Sequence, residues 1–282
     1  KADGHAFIGA AFQSGAAAAV VSSPEALGQY PGILVADTRR AISALAAFFS
    51  DYATTQLLNI GITGTNGKTT ITWLLYHALN SLGVSTLRIG TLGAEAGDLI
   101  EQEGSLTTPD PVTLHALFKR AAEAGVKCCV MEASSHALDQ QRVGNVSFDE
   151  AVFTNLTRDH LDYHGSMEDY FRAKLRLFEL VGFKQDGPRA AVVNLDSKHG
   201  RIIKDDFRFF GLNDFSFGSS EAARVQLVRF VQNIEGSHAS LRFRGEEYQI
   251  NSSLIGRHNG ENLAAAFAAA VAAGFEPGKV KA

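Results

Sequence analysis

A glycine-rich loop lies between an apolar strand and a helix in residues 57–82. Residues 57–62 have the continuous apolar pattern of a buried strand, and residues 69–82 are predicted to form a helix. Between them runs Gly61-Ile-Thr-Gly-Thr-Asn-Gly-Lys-Thr-Thr70. In this setting the loop amides and the start of the helix converge on an anion. The segment therefore predicts a phosphate-binding loop.

The loop matches the pattern G-x-x-x-x-G-K-[ST] except at its first position, where Ile62 replaces glycine between Gly61 and Gly64. In such a loop Lys68 reaches the terminal phosphates and the hydroxyl of Thr69 coordinates Mg²⁺. The alternative is an ordinary turn before a helix. A nucleotide loop alone does not identify a reaction, because kinases, GTPases and motors share it.

Strands alternate with helices of ten or more residues along most of the chain, which predicts an α/β fold with a doubly wound, mainly parallel sheet. Residues 207–250 have shorter apolar runs and predict a small antiparallel β appendage. Residues 1–54 form a predicted partial α/β N-terminal domain, and residues 55–282 the ATP-binding domain. Because the chain opens without methionine, we expect it to be part of a longer protein.

The net charge of −4 and the absence of long Lys/Arg runs argue against nucleic acid as the main partner. The longest apolar stretch, residues 263–273, is too short for a membrane span, which needs roughly 20 residues. The two cysteines, Cys128 and Cys129, are neighbours, so we expect no structural disulfide and a cytoplasmic protein. The expected partners are small molecules, bound by a monomer.

A second apolar strand, residues 126–131, leads into Glu132. Open α/β sheets place ligands at this end of their strands, and a carboxylate there can hold Mg²⁺. Ser134, Ser135 and His136 follow, and then Gln140 and Arg142. The alternative is a helix cap made by one of the serines, with a solvated arginine.

A third strand ends in Asn155 and is followed by His160 and His164. The HExxH arrangement of zinc enzymes is absent, so we expect no zinc here. A single histidine in a magnesium or phosphate site fits better, and His160 lies nearer the strand end. We expect His164 to be a loop or turn residue.

Lys174 lies among aromatic residues on the helix predicted over residues 167–180. The alternative to a functional role is a lysine whose stem packs while its amine reaches water.

Read in order, the chain resembles the Mur ligase family over residues 1 to about 273. Four ordered motifs carry the resemblance, namely the loop GTNGKTT, MEASSHAL from residue 131, FTNLTRDHLDYHG from residue 153 and YFRAK from residue 170. The resemblance is closest to the members that add the third residue to the cell-wall peptide. It implies an ATP-dependent amide ligase that acts on UDP-N-acetylmuramoyl-L-Ala-D-Glu through an acyl phosphate.

The resemblance also implies roles for single residues. The ATP contacts would be Gly64, Thr65, Asn66, Gly67, Lys68, Thr69 and Thr70, with Asn259 on the adenine side. Two magnesium ions would be held by Thr69, Glu132, His160 and a Lys174 carbamylated by CO₂. The catalytic group would comprise Lys68, Glu132, His160 and Lys174. The UDP-muramoyl-dipeptide contacts would be Thr107, Thr108, Ser134, Gln140 and Arg142.

Two residues depart from the third-step pattern, since His258 replaces the usual phenylalanine and Leu106 replaces a frequent polar contact. The amino-acid-binding C-terminal domain is expected outside this chain, which leaves the third residue open between meso-diaminopimelate and L-lysine. Other interpretations are a cyanophycin or folylpolyglutamate synthetase type of ligase, and a non-catalytic nucleotide-binding homologue.

Overall fold

The computed structural model of the chain describes residues 3–104, 106–184, 186–187, 189–206 and 211–280. The first unit is a two-stranded parallel sheet flanked by short helices. In chain order its elements are a 3-10 helix (Gly4–Phe7), α1 (Ile8–Gln13), β1 (Ala19–Val21), α2 (Pro24–Leu27), β2 (Gly32–Leu34) and α3 (Thr38–Phe49). A second 3-10 helix, Ala53–Gln56, leads into the main sheet.

The main sheet has eight strands. In chain order they are β3 (Leu58–Thr63), β4 (Thr86–Gly90), β5 (Gly93–Glu95), β6 (Glu101–Gln102), β7 (Cys128–Glu132), β8 (Glu150–Phe153), β9 (Ala190–Val193) and β10 (Asn213–Asp214). Their order across the sheet is β10-β9-β8-β3-β7-β4-β5-β6. The strands from β10 to β4 are parallel, whereas β5 and β6 are antiparallel additions at one edge.

Helices cover both faces of this sheet. They are α4 (Lys68–Ser81), α5 (Pro111–Glu123), α6 (Ser135–Asp139), α7 (Leu161–His164), α8 (Met167–Phe183), α9 (Lys198–Asp206) and α10 (Arg257–Ala272), with a last 3-10 helix at Pro277–Lys279. The apolar residues of α4 and α10 share one core cluster with Ile60 and Ile62 of β3. Those of α5 and α8 share the other cluster with Met131 of β7. The two clusters lie on opposite faces because successive strand residues alternate.

A second, four-stranded sheet packs over α10. Its strands are β11 (Phe217–Gly218), β12 (Val225–Asn233), β13 (Gly236–Phe243) and β14 (Glu246–Ser252). Strands β12 to β14 are antiparallel, and only the short β11 runs parallel to its neighbour. The first four residues of the predicted appendage, 207–210, lie outside the described residues.

The predicted α/β class, the mainly parallel sheet and the small antiparallel appendage are confirmed. Antiparallel β5 and β6 were not predicted, because three-residue and two-residue strands are too short to show a hydrophobic period. Within the described ranges, no helix combines the length and apolar character that crossing a bilayer requires. The carboxyl ends of β4, β7, β3 and β8 meet at one edge of the sheet, where the predicted site residues follow.

Candidate active site

The glycine-rich loop joins the carboxyl end of β3 to the start of α4. Gly64 has a φ of +150°, and a Cβ atom there would lie 1.9 Å from Oγ1 of Thr154. Only glycine fits so close an approach. Gly67 precedes α4 without a side-chain cap, so no side chain of the described chain occupies the first helical amides. The loop therefore presents the positive end of a helix dipole to an anion.

Side chains that follow β8 hold the loop in place. Oγ1 of Thr154 donates to the carbonyl oxygen of Asn66 at 2.6 Å, and the amide of Asn66 donates to Oδ1 of Asn155 at 3.0 Å. Oγ1 of Thr65 accepts from the amide of Thr157 at 3.0 Å. These bonds fix the loop to the neighbouring strand, which lowers the conformational cost of binding a phosphate chain.

Two lysines meet at this loop. Nζ of Lys68 donates to the carbonyl oxygens of Gly64 at 3.0 Å and Thr65 at 2.9 Å. Nζ of Lys174, on α8, donates to the same Gly64 oxygen at 2.8 Å and lies 4.3 Å from the ring centre of Tyr170. Lys174 is 1% exposed, so the alternative in which its amine reaches water is wrong.

The two amines are electrostatically coupled. Burial lowers the pKa of Lys174 well below its usual range, and Lys68 lowers it further, whereas Asp159 raises it. Burial also lowers the pKa of Lys68, and the carboxylates of Glu132 and Asp159 oppose that shift. Burial and the neighbouring Lys68 therefore both favour the uncharged form of Lys174 relative to an amine in water.

The carboxylate of Glu132 ends β7 beside the loop and is 1% exposed. Its Oε2 accepts from the hydroxyls of Thr69 at 3.0 Å and Thr91 at 3.2 Å. Its Oε1 accepts from the amide of Thr91 at 2.9 Å. The oxygens of Thr69 and Glu132 are thus adjacent, and oxygen ligands are those that Mg²⁺ prefers. These residues fit a divalent cation.

The predicted substrate residues form a connected patch next to Glu132. Oγ1 of Thr108 donates to the carbonyl oxygen of Glu132 at 2.7 Å and accepts from the amide of Ser134 at 3.1 Å. Nη1 of Arg142 donates to the carbonyl oxygen of Thr108 at 3.0 Å. Nη2 of Arg142 donates to Oε1 of Gln140 at 2.7 Å. The arginine is therefore held in place by two fixed acceptors.

Two further contacts belong to this patch. Oγ1 of Thr107 lies 3.1 Å from Oγ1 of Thr91. Ser134 caps α6 by accepting from the amide of Ala137 at 3.2 Å, so the helix cap weighed from the sequence is present. Because the Ser134 hydroxyl also lies 3.3 Å from that of Thr108, the cap is part of the patch.

His160 lies in a cluster of aromatic rings. Its ring centre is 4.9 Å from that of His136 and 6.0 Å from that of Tyr170. Its Nε2 lies 3.5 Å from Oδ2 of Asp159. In the part of the chain that the structure describes, no hydrogen bond joins His160 to Glu132. The structure therefore brings Thr69 and Glu132 together and places His160 beside the Tyr170 ring that Lys174 contacts.

His164 ends the short helix α7 instead of lying in a loop. Its Nε2 lies 3.0 Å from Oγ of Ser135, and its ring stacks on that of Tyr170 with centres 5.1 Å apart. The histidine therefore links α6 to the helix that carries Lys174.

Asn259 lies in the first turn of α10 and is buried. Its Nδ2 donates to the carbonyl oxygen of Ile255 at 2.8 Å, and its Oδ1 accepts from Nδ2 of Asn262 at 2.9 Å. A cavity of about 860 Å³ beside the loop is lined by residues of α4, including Thr69 and Thr70, by the start of β13 and by the end of β14. Leu254 also lines this cavity, and Asn259 is bonded to the next residue, Ile255, without lining the cavity itself.

Sequence reasoning missed three contacts of the site. Thr91 follows β4 and Asn155 follows β8, but neither residue carries a charge that marks it among ordinary loop residues. Tyr170 was noted only as the first residue of the YFRAK motif, although its hydroxyl lies 3.2 Å from Oγ1 of Thr65. Position at the carboxyl end of a parallel strand was the one signal that could have identified Thr91 and Asn155.

Comparison with known proteins places the chain in a family. The family described as Mur ligase middle domain matches residues 62–270. The matched segment contains the loop, Glu132, the substrate patch and Lys174.

Relatives cover nearly the whole chain. A UDP-N-acetylmuramoyl-L-alanyl-D-glutamate–2,6-diaminopimelate ligase of Aquifex aeolicus is 39% identical over 98% of this chain and 55% of its own length. The ligase of the same name from Bacillus velezensis is 39% identical over 97% of this chain and 55% of its own length. The chain thus spans about half the length of these relatives.

Solved structures agree with this comparison. A structure of a ligase with the same name superposes with a TM-score of 0.86 and 29% identity, covering 98% of this chain and 55% of the other. A Mycobacterium tuberculosis folylpolyglutamate synthase complexed with ADP has a TM-score of 0.71 and 17% identity, covering 86% of this chain and 61% of its own. At that identity the second likeness shows the fold alone.

Proposed function

This chain belongs to the Mur ligase family, and on that premise we propose that it carries the ATP-binding and muramoyl-binding parts of an amide ligase. The proposed reaction joins 2,6-diaminopimelate, as the third residue, to UDP-N-acetylmuramoyl-L-Ala-D-Glu. Relatives that are 39% identical bear that activity in their names. Since the chain spans about half of their length, we assign the choice of amino acid to a domain outside residues 1–282.

The observation that carries the proposal is the meeting of a phosphate loop, a carboxylate and a buried lysine at one sheet edge. The Thr69 hydroxyl touches Glu132 at 3.0 Å, and Lys174 reaches the loop carbonyl of Gly64 at 2.8 Å. A phosphate loop alone explains neither Glu132 nor Lys174. Phosphoryl transfer to a carboxylate needs cations that neutralise the developing charge, and Glu132 and a modified Lys174 would supply oxygen ligands for such cations.

The first chemical step would bring two anions together. The D-glutamyl carboxylate oxygen attacks the γ-phosphorus of ATP, the bond to the β,γ-bridging oxygen breaks, and ADP leaves. Lys68 would exchange its loop carbonyl partners for phosphate oxygens and so offset the repulsion. Magnesium held by Thr69 and Glu132 would neutralise charge on the transferring group. The resulting acyl phosphate is then open to attack by the incoming amine, which expels phosphate.

Lys174 would act in a different chemical form. Its environment favours the uncharged amine, which can form an N–C bond with CO₂ and release a proton to water. The carbamate would supply anionic oxygen for a second magnesium. A free ammonium cannot ligate a cation, so this modification gives a reason for lysine at a buried position beside Lys68.

The patch around Arg142 would hold the muramoyl substrate. The guanidinium lies next to Thr108 and Gln140, and its planar fork suits a carboxylate or a phosphate of the substrate. Thr107 and Ser134 add hydroxyls within the same patch. The patch touches Glu132 through Thr108, so a bound carboxylate would lie near the transferred phosphoryl group.

A substrate panel tests the proposal on the full-length protein. Phosphate release from ATP is measured with UDP-muramoyl-dipeptide plus 2,6-diaminopimelate, with the same acceptor plus L-lysine, with cyanophycin primer and with folates plus glutamate. We expect release only with the muramoyl acceptor and faster turnover with 2,6-diaminopimelate. Turnover with folate or cyanophycin alone would replace the proposal by another ligase of the superfamily. No release with any acceptor would favour a non-catalytic homologue.

A cytoplasmic site of action and a monomeric state belong to this proposal. ATP and a UDP-linked precursor are small, charged molecules, and the substrate patch and the loop lie within one chain.

A further inference from the structure

Thr91 stands between the metal-ligand candidate Glu132 and the substrate patch. It follows β4, next to the strand that ends in Glu132. Its amide donates to Oε1 of Glu132 at 2.9 Å and its hydroxyl to Oε2 at 3.2 Å, so both carboxylate oxygens are held by one residue. The same hydroxyl lies 3.1 Å from that of Thr107. Only Thr91 contacts both groups in this way among the described residues.

The backbone before Thr91 is shaped around the same carboxylate. A Cβ atom added to Gly90 would lie 2.1 Å from Oε1 and 2.8 Å from Cδ of Glu132. Any other residue at position 90 would push the carboxylate away from its place. Gly90 and Thr91 therefore fix the position of Glu132 by shape and by hydrogen bonds together.

The proton count couples the two contacts of the Thr91 hydroxyl. A hydroxyl has one proton to donate, and an ionised carboxylate only accepts. The Thr91 hydroxyl is placed to donate to Oε2 of Glu132 at 3.2 Å and to Oγ1 of Thr107 at 3.1 Å, so its single proton serves one of these acceptors at a time. Thr107 accepts in this contact, so its own proton stays available to a bound molecule.

We propose that Thr91 is a positioning residue that sets the Glu132 carboxylate for the divalent cation and joins it to Thr107 of the substrate patch. The inference rests on the proposed function. Thr91, an uncharged and exposed loop residue, would link metal binding to substrate binding. Because Thr91 acts through Glu132, its loss should weaken the metal-dependent part of nucleotide binding and spare the rest.

The test compares ATP affinity with Mg²⁺ and with a chelator in the full chain. Trp73, the only tryptophan of the chain, lies one turn after Thr69 and reports binding by fluorescence. Thr91→Val keeps the side-chain shape and removes the hydroxyl. We expect its Mg²⁺-dependent ATP affinity to fall about tenfold, the size of a lost hydrogen bond to a charged group, while chelator affinity changes less than about twofold.

Three variants complete the test. Thr91→Ser restores a hydroxyl and should recover most of the affinity, whereas Gly90→Ala should show the same selective loss as Thr91→Val by displacing Glu132. Thr55→Val removes an exposed hydroxyl whose one side-chain bond among the described residues is to the backbone oxygen of Tyr52, and it should behave as wild type.

The outcomes separate the inference from the proposed function. Suppose that Mg²⁺ strengthens ATP binding by the wild type and that Thr69→Val abolishes this gain. If Thr91→Val then keeps the gain, the role of Thr91 is refuted and the metal site stands. If Mg²⁺ has no effect on the wild-type chain, the proposed metal site fails and the inference fails with it. Equal losses with and without Mg²⁺ in Thr91→Val would show a merely structural role and would also overturn the inference.

Discussion

Lys68 and Lys174 donate hydrogen bonds to the same backbone oxygen, that of Gly64, at 3.0 and 2.8 Å. They reach it from α4 and α8, two helices on opposite faces of the sheet. Two positively charged amines around one neutral oxygen would repel each other, and their removal from water adds a desolvation cost. The arrangement becomes favourable once a phosphate binds beside Lys68 and Lys174 is uncharged or modified.

Lys174 should lower the stability of the unmodified fold, because its amine is removed from water beside Lys68. Its unfolded pKa is near the ordinary 10.5, and burial lowers the folded value, so the unfolded chain binds more protons between the two. Wild-type stability therefore rises with pH across that window. Lys174→Met should stabilise the fold in CO₂-free buffer. The gain in stability should be largest at pH values below the folded pKa of Lys174 and should shrink as pH approaches 10.5.

Thermal unfolding across pH measures this effect, and phosphate release by the full-length protein measures the loss of activity. Bicarbonate should raise the unfolding temperature of wild type and leave Lys174→Met unchanged. A variant that is both less stable at neutral pH and fully active would refute the role given to Lys174.

Arg142→Lys should weaken binding of the muramoyl substrate. A lysine cannot reproduce the guanidinium fork that reaches Gln140 and the Thr108 carbonyl together. We expect the KM for the muramoyl substrate to rise about tenfold, with ATP affinity changed less than about twofold. Arg172→Lys, on the exposed face of α8, is the matched control and should leave both unchanged. An equal loss of ATP affinity would place Arg142 in the nucleotide site instead.

Gly64→Ala should displace the phosphate loop. The new methyl group would fall 1.9 Å from Oγ1 of Thr154, so either the loop or the end of β8 must move. We expect a stability loss of about 1–3 kcal/mol, the range for overpacking, and loss of measurable ATP binding. Adding Thr154→Ala should recover part of the stability. Gly278→Ala, which meets no atom within 4 Å, is the control.

The sequence predicted those parts of the fold and site that depend on local pattern. Long apolar strands and helices gave the α/β class, and the position of Glu132 after a strand placed it at the correct sheet edge. The sequence could not show that Lys174 is buried, because an amphipathic helix offers a lysine both a buried and a solvated orientation. It also could not show which loop hydroxyl reaches Glu132, because Thr91 comes from a strand distant in sequence.

A buried ionisable group outside the site was equally hidden from the sequence. Glu150 is the first residue of β8 and directly follows Asp149, where the sequence has the pattern of an ordinary strand start. The fold places it in the core, and neither of its carboxylate oxygens has a hydrogen-bond partner among the described residues. Burial, with a contribution from the charge of Asp149, raises the pKa of Glu150 well above its usual range.

Glu150→Gln should therefore stabilise the protein above about pH 4.5, the ordinary carboxyl value. The pKa of Glu150 is higher in the folded protein than in the unfolded chain. The wild-type carboxyl therefore contributes its full stability below the unfolded pKa, and this contribution is lost as pH rises. The advantage of glutamine should be near zero at pH 4 and grow toward neutral pH. Denaturant midpoints of both proteins from pH 4 to 8 measure it, with exposed Glu101→Gln as the control. A constant difference at every pH would contradict this explanation.

The central claim is that Thr69, Glu132 and the loop form one metal–triphosphate site beside Lys174. Anomalous diffraction from Mn²⁺, in crystals grown with a non-hydrolysable ATP analogue, locates the ion and the triphosphate together. We predict a manganese peak about 2 Å from Oγ1 of Thr69, next to the Glu132 carboxylate, with the terminal phosphates on Lys68. An ion or a triphosphate bound away from these side chains would contradict the account.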